Sequence, residues 1–182
     1  MVVDIGTGDG RAVLARAGVE PASLVIGVDA AAASMAEASR RATRRGTANA
    51  IFLAAGAAEL ADTPLAGRVD LATVTFPWGS LLRGAVGLEP AVLAGLAALA
   101  APGGRVEVLV SVVPSDRVAG VDTLDAGWEP AIRCAWASVG LELVSMRPAT
   151  AADIAASRSS WARRLDPSRG ARPVWRLDLC RP

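Results

Sequence analysis

The sequence predicts an α/β domain with a seven-stranded, mostly parallel sheet, helices on both faces and an antiparallel last strand. Three observations carry this prediction. Short apolar runs alternate with helix-period segments along nearly the whole chain, as in strands joined by helical crossovers. The first run, Val2-Val3-Asp4-Ile5, breaks into glycines at every second position, Gly6, Gly8 and Gly10. That reads as a buried strand turning sharply into a loop and then a helix, with glycine where the backbone needs positive φ or close contact with a ligand. Near the end the pattern loosens, and two strands are joined by a non-helical excursion that suits an antiparallel pair.

The elements follow in order. A helix is expected over 9–17, and the second strand closes the run Leu24-Val25-Ile26-Gly27-Val28 at Asp29. A helix over 33–45 meets Gly46, which is placed to stop it. Ile51-Phe52-Leu53 is a short third strand, 57–60 one helical turn, and Pro64 and Gly67 mark a loop. The fourth strand is 69–76. Pro90 sits in the first turn of a helix over 89–101. Pro102-Gly103-Gly104 reads as a turn into the fifth strand, 105–113. A polar connection spans 114–125, a helix 129–139 and the sixth strand 141–146. Thr150 opens a helical stretch, 157–172 is irregular and basic, and 174–180 alternates as the last strand. No internal repeat or domain boundary interrupts residues 1–182, which read as one domain. The first strand is only about four residues long, so a longer strand beginning upstream is expected.

At 182 residues with 52% hydrophobic content, the chain can bury a sizeable core. It has no His, Tyr or Lys, and all 19 basic residues are Arg. The lack of His excludes His general bases, Ser–His triads and His metal sites, and no metal is expected. Cys134 and Cys180 match no C-x-x-C pattern and read as reduced core thiols of a cytoplasmic protein. No stretch reads as a signal peptide or a membrane span. Net charge is near zero but unevenly spread. Arg40, Arg41, Arg44 and Arg45 cluster in one helix. Arg158, Arg163, Arg164, Arg169, Arg172, Arg176 and Arg181 crowd the C-terminal part. Two Arg clusters on a balanced protein have the form of a polyanion footprint, and each also has a plain reading as a solvated face.

Gly6-x-Gly8-x-Gly10 differs from the dinucleotide fingerprint, because Arg11 stands one place past the last glycine. Asp4 precedes the loop and Asp9 lies within it. These carboxylates would repel a pyrophosphate and suit a ligand bearing an ammonium. Asp29, about 20 residues on, is placed for ribose hydroxyls. Together these features resemble the S-adenosylmethionine site of class I methyltransferases. The resemblance implies a Rossmann-like fold and cofactor contacts from Asp4, Gly6, Thr7, Gly8, Asp9, Gly10 and Asp29, with Phe76 at the end of the fourth strand. The acid expected after the third strand is either Glu59 or absent, with Ala58 at its place.

In such a sheet the end of the fourth strand lies beside the cofactor. There the chain reads Phe76-Pro77-Trp78-Gly79-Ser80-Leu81-Leu82-Arg83-Gly84, and Trp78 is suited to stack on a base. A second Trp among Ser and Arg occurs in Ser159-Ser160-Trp161-Ala162-Arg163-Arg164-Leu165. These two segments resemble the signature segments of the kanamycin–apramycin resistance methyltransferases, which methylate N1 of one adenine in the aminoglycoside-binding decoding site of 16S rRNA. The resemblance runs from Val2 to about Arg172, with the segments in the family's order.

The resemblance implies that Trp78 and Trp161 clamp the flipped adenine, that Pro77 shapes the pocket beside the reactive nitrogen, and that Ser159 helps place the second Trp or the base. It implies rRNA contacts from Arg40, Arg41, Arg44 and Arg45 and from Arg163, Arg164 and Arg169. The partner would be the 30S subunit, met by a monomer with no membrane attachment. The family's hairpin before the first strand, thought to help docking, has no counterpart in the sequence. Enzymes that methylate the amino group of adenine carry a polar residue where this chain has Phe76, which favours attack by a ring nitrogen. Two other readings stay open: a class I methyltransferase of a small molecule, and a homologue that binds cofactor without activity.

Overall fold

A computed structural model describes residues 1–159 and 172–182. Seven strands form one sheet in the order β3-β2-β1-β4-β5-β7-β6. They are β1 (Val2–Ile5), β2 (Val25–Asp29), β3 (Ala50–Ala54), β4 (Val69–Thr75), β5 (Ala100–Val110), β6 (Glu142–Pro148) and β7 (Trp175–Cys180). β1 pairs in parallel with β2 and β4, β2 with β3, and β4 with β5. β7 runs antiparallel between β5 and β6. The expected antiparallel last strand is therefore present, inserted beside the fifth strand rather than at an edge.

Helices cover the faces: α1 (Arg11–Val19), α2 (Ala32–Arg45), α3 (Gly79–Ala85), α4 (Pro90–Leu99), α5 (Glu129–Ser138) and α6 (Ala151–Ala156). Alternation along the central strands splits the side chains between the faces. Val3, Ile5, Ala72, Val74, Val106 and Val108 join Leu82, Leu96 and Trp136 in the main core. A smaller cluster of Val13, Ala17 and Val25 lies under α1. Trp136 is fully buried, and its indole N–H donates to the Ala85 carbonyl at 3.0 Å.

Several boundaries differ from expectation. The helix expected over 89–101 ends at Leu99, and Ala100 already pairs with Val69. Leu71 next pairs with Arg105, so Pro102-Gly103-Gly104 forms a bulge within β5 rather than a turn before it. β5 stops at Val110, and short 3-10 turns occupy 114–116 within the expected connection and 126–128 just after it. The segment 79–85 is helical, where no helix was expected between the fourth strand and the helix over 89–101. Cys134 is exposed and Cys180 half-buried, so neither is the core thiol expected, although both are free. Among the described residues no single helix is long and apolar enough to cross a membrane, and no group of three or more Cys, Asp or Glu is arranged to hold a metal.

Candidate active site

Beyond the carboxyl ends of β1, β2, β3 and β4 lies a cleft of about 470 Å³, where open α/β sheets take ligands. Gly6, Thr7, Gly8, Asp9, Asp29, Phe76, Pro77, Trp78 and Ser159 line it, joined by Ala55, Gly56, Ala57, Ser80 and Leu81. The sequence had nominated the first nine. Gly10 does not line the cleft. It caps α1 at φ 68°, and a Cβ there would stand 2.6 Å from the Phe52 ring.

The glycine loop hangs from the end of β2. The Gly6 and Thr7 N–H groups donate to the Val28 carbonyl at 2.8 and 3.1 Å. At Gly8 (φ 58°) nothing lies within 4 Å of where a Cβ would stand, so a ligand can rest directly on its backbone. Its N–H donates to Asp29 Oδ2 at 2.8 Å, and the Ala31 N–H donates to Asp29 Oδ1 at 2.8 Å. The carboxylate is thus fixed, and each oxygen keeps capacity for a ligand hydroxyl. Asp9 accepts from the Arg11 N–H at 3.1 Å. Its carboxylate also pairs with the Arg11 guanidinium at 3.5 Å, so of the two acids lining the cleft only Asp29 has no cationic partner among the described residues.

The exit from β4 forms the opposite wall. Phe76 is buried with φ 49°, a conformation that costs of order 1–3 kcal/mol for such a residue. Its N–H donates to the Leu109 carbonyl at 2.8 Å. Trp78 is 44% exposed, enough to offer a ring face at the cleft. Behind it α3 rests on the loop, where a Cβ on Gly6 would stand 2.6 Å from Leu81 Cδ2.

Besides Gly10, three nominated cofactor residues lie elsewhere. Asp4 points to the other side of the sheet, into a polar chamber of about 410 Å³ shared with Arg16, Thr73, Glu107, Asp153 and Arg176. Strand alternation decides this, because Ile5 and Val3 occupy the core face. Thr73 Oγ1 donates to Asp4 Oδ1 at 2.8 Å. Burial pushes the Asp4 carboxyl up from 3.8, against the opposite pull of the Thr7 and Thr73 hydroxyls. Asp4 thus braces β1 against β4 instead of meeting a ligand ammonium. Glu59 is turned back on its own 3-10 turn (Ala57–Asp62), its Oε2 accepting from the Gly56 N–H at 2.8 Å. Ala58 is pressed towards α4, where a Cβ on Gly95 would meet its Cα at 3.2 Å. The wall after β3 is therefore Ala55-Gly56-Ala57, without the expected acid. Trp161, Arg163, Arg164 and Arg169 lie outside the described residues.

The family model for NpmA, 16S rRNA (adenine(1408)-N(1))-methyltransferase, matches residues 1–178. The chain is 34% identical to the 16S rRNA (adenine(1408)-N(1))-methyltransferase of Streptoalloteichus hindustanus, over 93% of this chain and 81% of that one. The chain belongs to this family. Among solved structures it resembles the 16S rRNA methyltransferase KamB, with a TM-score of 0.84 and 31% identity over 100% of this chain and 87% of that one. It also resembles a tryptophan-to-alanine variant of the 16S rRNA (adenine(1408)-N(1))-methyltransferase from Catenulisporales acidiphilia, solved with the cosubstrate SAM. There the TM-score is 0.83 and the identity 31%, over 99% of this chain and 84% of that one.

In this 16S rRNA (adenine(1408)-N(1))-methyltransferase family member the two Arg clusters fare differently. Arg40 and Arg44 flank Glu37 on α2 at 3.0 and 2.9 Å, and they hold its carboxyl below the ordinary value. Among the described residues Arg41 and Arg45 form no ion pair, and Arg45 is exposed. α2 therefore keeps a basic outer face. Of the C-terminal cluster, the described Arg172, Arg176 and Arg181 are half-buried and bonded within the fold, while Arg158 is exposed. Arg176 bridges Glu107, Asp153 and Asp178 at 3.1, 3.2 and 2.7 Å. Arg181 donates to the Ala97 carbonyl at 2.7 Å. Arg172 forms a bidentate pair with Asp116. Arg158 donates to the Ala15 carbonyl at 3.2 Å. Sequence reasoning missed Leu81, Thr73 and Asp116. Only Leu81 carried a signal, because Leu81, Leu82 and Ala85 are spaced for a helix with one apolar side.

Proposed function

We infer that this chain transfers the methyl group of S-adenosylmethionine to N1 of an adenine in the aminoglycoside-binding decoding site of 16S rRNA, within the 30S subunit. The observation that carries the reading is the placement of Trp78, an exposed ring at the mouth of a cleft whose other wall is the glycine loop and Asp29. The bare Gly8 backbone and the doubly bonded Asp29 suit a nucleoside. The cofactor supplies an already activated methyl group.

The protein's part is alignment. Adenine N1 keeps an in-plane lone pair once unpaired, so no general base is needed, and a chain without His can serve. Trp78 receives the flipped base, and Trp161 is assigned to its other face. Stacking of about 1–3 kcal/mol per ring offsets the few kcal/mol spent on extruding the base. Phe76 offers no side-chain acceptor to the exocyclic amino group, which leaves the ring nitrogen as the nucleophile. The exposed arginines of α2 supply phosphate contacts that set register without reading sequence. The product carries a positive charge that opposes a cationic aminoglycoside.

The test is transfer of labelled methyl to purified 30S subunits, followed by primer extension across the decoding site. A stop at the decoding-site adenine is expected. In the same assay Trp78→Ala and Trp161→Ala should abolish transfer, with S-adenosylmethionine affinity changed less than about threefold. Absence of transfer to 30S subunits from an enzyme that binds S-adenosylmethionine would overturn the reading.

A further inference from the structure

We propose that Phe76 is a positioning residue for methyl transfer that acts through Trp78, a proposal that rests on the function inferred above. The chain leaves β4 through two left-handed residues, Phe76 at φ 49° and Gly79 at φ 56°. Between them stand Pro77, whose ring fixes φ, and Trp78, extended at φ −129° and ψ 165°. This two-residue bridge is stiff, and its heading is set where it begins.

At Gly79 a left-handed backbone carries little steric penalty. At Phe76 it is strained, and a bulky residue keeps such a conformation only where its surroundings over-determine it. They do so here. The Phe76 N–H is tied to the Leu109 carbonyl at 2.8 Å, which pins the turn to β5. The residue is 8% exposed, enclosed in the wall of the cleft it lines. Pro77 disfavours the right-handed helical alternative for the residue before it. At the far end of the bridge α3 is seated on the cofactor loop through Leu81 and Gly6, and the Leu82 N–H returns to the Trp78 carbonyl at 3.3 Å. The exposed indole is therefore held at a set place relative to Gly6 and Gly8 by geometry stored one residue before the proline. A residue needed only to fill the interior would have no use for a left-handed backbone. A residue that aims the chain across the end of a strand does.

The experiment uses the full chain labelled with 5-fluorotryptophan, which gives five resonances. The line lost in Trp78→Phe belongs to Trp78. Phe76→Ala should shift or broaden that line and leave the Trp136 line in place. With 30S subunits as substrate and S-adenosylmethionine at saturation, Phe76→Ala should lower kcat at least tenfold. In a Trp78→Ala background the same substitution should have no further effect on kcat, because the two residues act as one unit. Phe76→Leu, which keeps most of the apolar volume, should show the same pattern more weakly and serves if Phe76→Ala does not fold. An unmoved Trp78 line in both variants overturns the proposal whatever the activity, as does an undiminished effect of Phe76→Ala in the Trp78→Ala background. Failure of the wild-type chain to methylate 30S subunits counts against the function instead, and the fluorine spectrum still decides the role of Phe76.

Discussion

Replacing Asp116 by alanine should lower the melting temperature by about 6–12 °C. Asp116 sits in the 3-10 turn after β5, and its side chain is 7% exposed against 22% for Arg172. Arg172 grips both carboxylate oxygens, with Nη1 to Oδ1 at 3.0 Å, and also reaches the Ser111 hydroxyl at 2.8 Å and the Ser111 carbonyl at 3.1 Å. The Val113 N–H donates to the same carboxylate at 3.0 Å. Alanine would strand a mostly buried guanidinium and orphan that N–H. Breaking one side of a buried pair costs about 3–5 kcal/mol. Water can reach part of Arg172, so the lower end applies, and about 3 kcal/mol corresponds to the stated shift at about 2–4 °C per kcal/mol for a chain of this size. Thermal denaturation followed by circular dichroism reads it. The double variant with Arg172→Ala should be less destabilised than the sum of the singles by at least about 1 kcal/mol. Burial pushes the Asp116 carboxyl up, but the Arg172 guanidinium and the Val113 N–H outweigh it and hold the group below 3.8. Its folded pKa is depressed, so the contribution is fully present above about pH 4 and is lost as pH falls through the folded value. A shift under 2 °C at neutral pH, or simple additivity of the two substitutions, would refute the reasoning.

Three further outcomes are expected. Asp4→Asn should raise the melting temperature at pH 7, because Asn still accepts from Thr73 without the cost of a buried charge. Since burial raises the folded pKa of Asp4, the advantage should appear as pH rises through that value and vanish near pH 4, as a melting series across pH would show. Gly6→Ala places a Cβ 2.6 Å from Leu81 Cδ2 at φ 71° and should cost about 1–2 kcal/mol in stability, with weaker S-adenosylmethionine binding by calorimetry. Asp29→Ala removes the acceptor of the Gly8 and Ala31 N–H groups and should weaken S-adenosylmethionine binding about 10–100-fold, from loss of about 1.5–3 kcal/mol of charge-assisted hydrogen bonding. Binding within threefold of wild type would show that Asp29 serves the loop alone.

The sheet was legible because its signals are local. Apolar runs, three alternate glycines and an acid closing the second strand place the cleft before any contact is known. What sequence could not supply is direction. Asp4 and Asp29 both end or flank strands next to the loop, yet pleating sends one behind the sheet and the other into the cleft. Glu59 lies three residues after Gly56, the spacing by which a turn caps itself, and the backbone took it before a ligand could. Arg172, Arg176 and Arg181 looked like a basic surface because, Asp178 apart, the acceptors Asp116, Glu107, Asp153 and the Ala97 carbonyl lie far off in sequence. Charge counts do not reveal which charges are neutralised within the fold, and among the described residues α2 kept the exposed character expected of it.

The position of β7 has a consequence for how the molecule is made. β6 reaches the sheet only through β7, and the outer edge of β5 stays open until β7 arrives. β7 is synthesised after both of its neighbours. A growing chain can assemble β1 to β5 in turn, but it must carry β6 without a strand partner, with one sheet edge bare, until Trp175–Cys180 slots between them. Such non-local pairing is slow and exposes sticky edges. The sheet is thus finished only late in the chain's synthesis. Shortening or stalling of the chain near β7 should therefore send it to aggregation or proteolysis rather than to a weakened enzyme.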